Sequence, residues 1–349
     1  MYKSNLNKID VVIKMDIKES LISRRNSTLV KGFLILLIIL GHNGVLMGKH
    51  GGTTPNILND YLYSFHVYCF FMLAFLYDIP KFTYLRVKKD FITLMKPYFI
   101  LIIVLLSYKL WICKHYFDAE GTLWAVVTAN QGALKEYVGA YFPWFLPSFF
   151  TILLMRNYVL PHKWNWLKIF VFSISVVFLL MKVSYSGFRL GDNKLFICGS
   201  YVAITYFSLT VVARLVYANL RNNRFFGVVV ALAFVISSIC FFSINVPQYV
   251  ANMNAHIILP ISAFFFIVVI VDRLPNNILT TCLTYIGRIS LPLYMIHIFV
   301  ENALLLIAKR FVDNLSIGIG ILILMFTIVL SLLIIKLLDK FNVSNLILK

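Results

Sequence analysis

The chain has 349 residues, of which 60% are hydrophobic and 13% charged, and its mean hydropathy is +0.86. Soluble domains carry about 25% charged residues, so this composition excludes a soluble globular protein and describes a polytopic membrane protein. The net charge of +18 is no sign of nucleic-acid binding. No RNA- or DNA-reading motif accompanies it, and Lys and Arg gather between alternate apolar runs, as in chains whose positive loops stay inside.

Residues 1–28 form a basic leader with Lys3, Lys8, Lys14, Lys18, Arg24 and Arg25. They are expected in the cytoplasm, and their length and polarity argue against a cleavable signal peptide. The first apolar run predicts a helix over 29–47 running outward. A Gly-rich loop with His50 leads to a second helix over 60–78, running inward. The basic stretch Lys81, Arg86, Lys88, Lys89 and Lys96 predicts an inner loop, with Pro97 in the first turn of a third helix. Residues 114–143 form the longest external segment. Further helices are predicted over 144–161, 166–183, 195–216, 225–243, 255–272, 289–308 and 317–337, the ninth broken near Pro292. The expected fold is therefore all-α, with about ten transmembrane helices around a central polar cavity and both termini cytoplasmic. A single membrane domain covers 29–340, followed by a short tail over 341–349. Cys69, Cys113, Cys198, Cys240 and Cys282 are widely spaced, so neither a disulfide framework nor a zinc site is expected.

Within the first run, Lys31 precedes His42 by eleven residues. At about 100° and 1.5 Å per residue the two share a helix face, roughly 16 Å apart. Ionisable groups at membrane depth are costly and usually face a cavity or a partner. His66 and His297 also fall inside predicted spans, whereas His50, His115, His162 and His256 lie in loops or near helix ends. Three intramembrane histidines favour a polar cavity. They do not read as a metal site, because no ligand pair is recognised at helical spacing and no carboxylate is recognised beside them.

Several segments, taken in order, resemble membrane acyltransferase family 3. KGFLILLIILGHN carries Lys31-x10-His42, similar to that family's Arg or Lys, ten residues, then His. YSFHVYCFFMLAFLYD (63–78) resembles its second helix, with Ala74 and Phe75 in place of Ser-Gly. RVKKDFITLMKPY (86–98) is similar to its basic inner loop, with Arg86-x-x-Lys89 replacing Arg-x-x-Arg. WFLPSFF (144–150) and IGRISLPLYMIHIFV (286–300) resemble later blocks.

The resemblance implies transfer of an acyl group, usually acetyl, from cytoplasmic acetyl-CoA to a hydroxyl of an extracytoplasmic polysaccharide or its lipid-linked precursor. The location implied is a bacterial cytoplasmic membrane. In that reading His42 is the general base, Lys31 joins it among the catalytic residues as a positive charge that attracts the CoA phosphates, and acetyl-histidine is a second route. Arg86, Lys88, Lys89 and Arg288 attract the CoA phosphates. His66, Trp144, Tyr294 and His297 contact the acceptor, and Trp111, Tyr116, Trp124, Tyr137 and Tyr141 are further aromatics available to sugar rings. No metal is expected. The partners are acyl-CoA, an envelope glycan and lipid, without nucleic acid, and the sequence leaves the oligomeric state open. A transporter or flippase for a glycan or lipid-linked sugar is the alternative class, which an inverted repeat with paired broken helices would favour. A glycan polymerase would call for a larger outer loop than 114–143.

Overall fold

The computed structural model describes residues 20–48, 57–79, 82–112, 117–184, 196–243, 247–312 and 315–341. The leader to residue 19, His50, Lys81, Cys113, His115, Tyr116 and the tail from 342 lie outside them. The structure is 83% helical, with no strands among the described residues. The helices are α1 (Arg24–His42), α2 (Ile57–Tyr63), α3 (His66–Phe75), α4 (Tyr84–Ser107), α5 (Ala119–Thr128), α6 (Phe145–Val159), α7 (Asn165–Ser184) and α8 (Ser200–Leu220). They continue with α9 (Phe226–Phe242), α10 (Gln248–Met253), α11 (Leu259–Arg273), α12 (Ile278–Arg288), α13 (Ser290–Phe311) and α14 (Ile317–Lys340).

Seven of the described helical segments are long and apolar enough to cross a membrane: α1, α4, α7, α8, α10 continued into α11, α13 and α14. α9, at 17 residues, is apolar but shorter. Apolar side chains stand outward on these helices, for example Val228, Leu232, Val235 and Ile239 on α9 and Ile321, Met325, Val329 and Leu333 on α14. Water would oppose such faces and hydrocarbon accepts them.

Three predicted boundaries are corrected. The stretch expected as an inner loop before Pro97 is helical from Tyr84, so Arg86, Lys88 and Lys89 ride the first turns of α4 and Pro97 lies in its interior. α1 begins at Arg24 and stops at His42, not at 47. The predicted helix 60–78 is two helices separated at Ser64–Phe65. Residues 278–288 form a separate helix, α12, capped reciprocally by Asn277 and Thr280. Pro292 then falls in the first turn of α13, where its missing N–H removes no helical hydrogen bond.

The chain divides into two compact units, and the division falls within α3 and within α4. Unit 1 comprises Met1–Ser23, Phe71–Phe91 and Tyr116–Arg224. There α8 packs against α6 and α7, with the Ser208 amide donating to Ser175 Oγ at 2.7 Å. Gly199 opens α8 at φ +63°, and a Cβ there would lie 2.1 Å from Ser148 Oγ, so both its conformation and its surroundings require glycine.

Unit 2 comprises Arg24–Phe70, Ile92–His115 and Phe225–Lys349. α1 packs against α2, α11, α12, α13 and α14. Its contact with α12 is backbone to backbone. A Cβ on Gly32 would sit 2.2 Å from the Leu283 carbonyl oxygen, and one on Gly287 would sit 1.9 Å from that of Thr28. Small residues let helices approach this closely, and van der Waals packing then drives their association in lipid. At the start of α1, Arg25 donates to the Leu274 carbonyl (3.1 Å) and Asn26 to Asp272 (2.6 Å).

Candidate active site

His42 is the last residue of α1, and the chain turns through Asn43–Gly48 instead of continuing as helix. Non-helical backbone among apolar helices must find partners inside the protein. Asn43, fully buried, supplies one of them and ties the turn to α14: its Oδ1 accepts the Leu46 amide (2.9 Å) and its Nδ2 donates to the Gly320 carbonyl (3.0 Å). The Gly44 amide donates to Glu301 Oε1 at 3.2 Å. Gly-His-Asn-Gly is thus held by α13 and α14, which fixes the backbone that carries the His42 ring.

The break between α2 and α3 brings two more groups to the same place. Ser64 turns its hydroxyl back to the Tyr61 carbonyl (2.6 Å) and its amide to that of Asp60 (3.0 Å), satisfying the end of α2. Tyr63 closes α2 and His66 opens α3, both beside Gly41. A Cβ at Gly41 would lie 3.4 Å from Tyr63 and 3.8 Å from His66. The Tyr63 hydroxyl stands 3.3 Å from Nδ1 and 3.4 Å from Nε2 of His42, so either tautomer can engage it. The Tyr63 ring meets His66 edge-on, centroids 4.8 Å apart.

From α13 comes His297, completely buried, its ring centroid 5.2 Å from that of His42. Tyr294, three residues earlier and also buried, lies 6.2 Å from His297. His297 Nδ1 is 3.0 Å from the Leu293 carbonyl, and His66 Nδ1 engages the Leu62 carbonyl. A carbonyl only accepts, so in both rings Nδ1 carries a hydrogen, and in the neutral ring Nε2 then keeps the lone pair. The cluster can therefore offer neutral imidazole nitrogens and a phenol to a hydroxyl or to each other. Among the described residues no three His, Cys, Asp or Glu side chains are arranged to hold a metal ion.

Of the residues singled out in the sequence, His42, His66, Tyr294 and His297 come together in unit 2. Lys31 is half-buried on α1, next to the Gly32 contact with α12. Arg288 is exposed, directly after Gly287, and so ends α12 beside the same early part of α1. The other candidates belong to unit 1. Arg86 pairs with Asp90 at 3.1 Å, and Lys88 and Lys89 are exposed. Trp144 is buried with its ring edge-on to Phe145, 6.3 Å between centroids.

Sequence reasoning missed Tyr63, Asn43 and Glu301. Glu301 carried a readable signal, an acid within a predicted span and four residues after His297. Glu301 thus places a carboxylate beside the histidines, where none was expected. Two buried arginines of unit 1 were also missed. Arg214 donates to the carbonyls of Phe75 (2.5 Å) and Tyr77 (2.7 Å), and Arg156 to that of Ala74 and, through Nε, to Asn157 (2.9 Å). Both thereby cap the carbonyl end of α3, where a cation opposes the partial negative charge of the helix terminus. Asn157 in turn donates to Asp90 at 3.3 Å.

A family model described as an acyltransferase domain matches residues 25–336. The chain belongs to membrane acyltransferase family 3. The match to this acyltransferase family begins in α1, one residue after its start, and ends within α14. With its apolar helices, family membership makes the protein a multi-pass membrane acyltransferase. Neither the curated proteins nor the solved structures compared with this acyltransferase match it.

Proposed function

We propose that this acyltransferase moves an acetyl group from cytoplasmic acetyl-CoA to a sugar hydroxyl of an extracytoplasmic polysaccharide or its lipid-linked precursor, in a bacterial cytoplasmic membrane. The observation that carries this reading is the meeting of His42 with Tyr63 and His297, and of Tyr63 with His66, at the end of α1, in a chain of acyltransferase family. His42 acts as general base. Its neutral ring takes the proton of the sugar hydroxyl as oxygen attacks the thioester carbon; the carbon–sulfur bond breaks, and the thiolate recovers the proton to leave as free CoA thiol.

Lys31, on the same helix face as His42, supplies positive charge for the donor's phosphates. Arg86, Lys88 and Lys89 in unit 1, and Arg288 in unit 2, supply positive charge for the donor's phosphates, a role that needs exposed cations. His66, Tyr294, His297 and Trp144 contribute to acceptor binding. Ten membrane crossings about a polar cavity, both termini cytoplasmic, match the distribution of Lys and Arg and put a charged donor on one face and a glycan on the other. The chemistry as drawn uses no metal. The test is acetyl content of the envelope polysaccharide in cells carrying His42→Ala, with protein level checked. Loss of acetyl is the expected result; full acetylation at normal protein level defeats the reading.

A further inference from the structure

We infer that the adenosine end of the CoA donor docks on unit 1, where the start of α4 meets the turn from α6 to α7, with Trp164 and Trp166 stacking the purine and Arg86 holding a phosphate. This site rests on acetyl-CoA being the donor, and it adds the residues that recognise the donor's base. Two ties bring the elements together. The Phe82 ring, two residues before α4, meets Tyr158 of α6 edge-on at 5.1 Å between centroids. Asn157, the neighbour of Tyr158, donates to Asp90 Oδ2 at 3.3 Å. Arg86 falls midway between Phe82 and Asp90 along the chain.

From Tyr158 an unbroken row of rings runs through the turn. His162 lies 5.4 Å from Tyr158, Trp164 4.8 Å from His162, and Trp166 5.5 Å from Trp164, the two indoles nearly parallel at 19°. The Trp164 amide donates to His162 Nδ1 at 3.2 Å, so the turn itself holds the row in place. Trp164 is 56% exposed and Trp166 60%, which leaves indole surface open at the end of the row. Offset parallel stacking is a favoured geometry for planar rings, and a purine has the flat π-face to extend it. Interfacial tryptophans also anchor helices among lipid headgroups, but anchoring asks only for an exposed indole, not for a row that leads to a phosphate binder.

Arg86 supplies that end. It engages Asp90 through Nε alone, at 3.1 Å, and its side chain is 37% exposed. Nη1 and Nη2 make no hydrogen bond among the described residues, and a planar fork with both terminal nitrogens open can grip two oxygens of one phosphate. The fork is held from behind: Asn157, which donates to Asp90, accepts Arg156 Nε at 2.9 Å, and Arg156 is buried against the Ala74 carbonyl. Lys88, Lys89 and Lys163, exposed on the same two segments, carry charge of the sign that nucleotide phosphates need. Planar faces leading to a guanidinium fork are complementary to a nucleotide, which joins a purine to phosphates. The headgroup of an anionic lipid would use the fork and leave the indoles without a planar partner.

The experiment compares full-length wild type with Trp164→Ala, Trp166→Ala and Trp164→Phe in phosphatidylcholine nanodiscs. Thiol release is followed with de-O-acetylated envelope polysaccharide as acceptor and two donors, acetyl-CoA and S-acetyl-4′-phosphopantetheine, which keeps the thioester and one phosphate but lacks adenosine. Each Ala variant should raise the acetyl-CoA KM roughly 10-fold at unchanged kcat, the loss of one base stack, and leave the KM of the truncated donor as it was. Trp164→Phe, which keeps a π-face, should recover most of the affinity. An unchanged acetyl-CoA KM, or an equal rise for both donors, overturns the site. Binding is read apart from turnover by titrating adenosine 3′,5′-bisphosphate against tryptophan fluorescence, where saturable quenching should appear in wild type and be lost from both Ala variants. A fluorescence change on enriching the discs in phosphatidylglycerol, with none from the nucleotide, assigns the row to lipid and overturns the site. Nucleotide quenching without any thiol release upholds the site and defeats acetyl transfer; thiol release with unaltered KM values in both Ala variants upholds transfer and overturns the site.

Discussion

At the residue scale the chemistry rests on how one ring is held. His42 is fixed through its backbone by Glu301 and Asn43 and through its ring by Tyr63. Replacing His42 by Ala should cut transfer by about 10²–10⁴-fold, the usual contribution of a positioned base, measured as CoA thiol release. Tyr63→Phe keeps the ring packing and removes the hydroxyl, so it should lower kcat by roughly tenfold and leave protein level intact; an unchanged kcat would show that ring packing alone orients His42. Lys31→Arg should preserve most donor use while Lys31→Ala weakens it, since charge survives only in the first. Equal loss in both would make Lys31 structural. The eleven-residue spacing of Lys31 and His42 was legible because helix geometry is local. Tyr63 was not, because a residue becomes a partner of His42 only when the chain breaks at Ser64 and folds α2 back beside Gly41.

At the scale of elements, two features decide where α1 and α3 sit. The α1–α12 crossing has no room for a methyl group on either glycine. Gly287→Ala should therefore destabilise unit 2 by about 1–3 kcal/mol, as overpacking does, read as a lower midpoint in denaturation of the purified protein. An unshifted midpoint would mean that these backbones are not in contact. In unit 1, Arg214→Met should leave the Phe75 and Tyr77 carbonyls unsatisfied, at about 1–3 kcal/mol for each buried acceptor. Unchanged stability would argue that water replaces the guanidinium. Lengths of apolar runs revealed α7, α8 and α14 closely. They failed at α2–α3 and at the start of α4, where a helix break lies inside an apolar stretch and a helix extends through a basic one. Hydropathy reports burial in lipid, and it does not report whether the backbone is continuous.

At the scale of the whole molecule, excess Lys and Arg on one side should orient the chain. With both termini in the cytoplasm, a C-terminal green fluorescent protein fusion should fluoresce and an alkaline phosphatase fusion should be inactive. An active phosphatase would reverse the proposed orientation. Membrane class and family were both readable without coordinates, from the scarcity of charge and from short blocks in a fixed order, and the family match over 25–336 agrees.

Composition by itself determined that the helices belong in lipid, because 13% charged residues cannot cover a soluble surface. Local spacing determined that a cation and an imidazole share one helix face. Only tertiary structure decided which groups meet that imidazole. Residues 63, 297 and 301 lie far from 42 along the chain, and their approach depends on Gly41, Asn43 and Gly320 accommodating neighbouring helices. Such contacts are set by three-dimensional packing, to which neither periodicity nor hydropathy is sensitive.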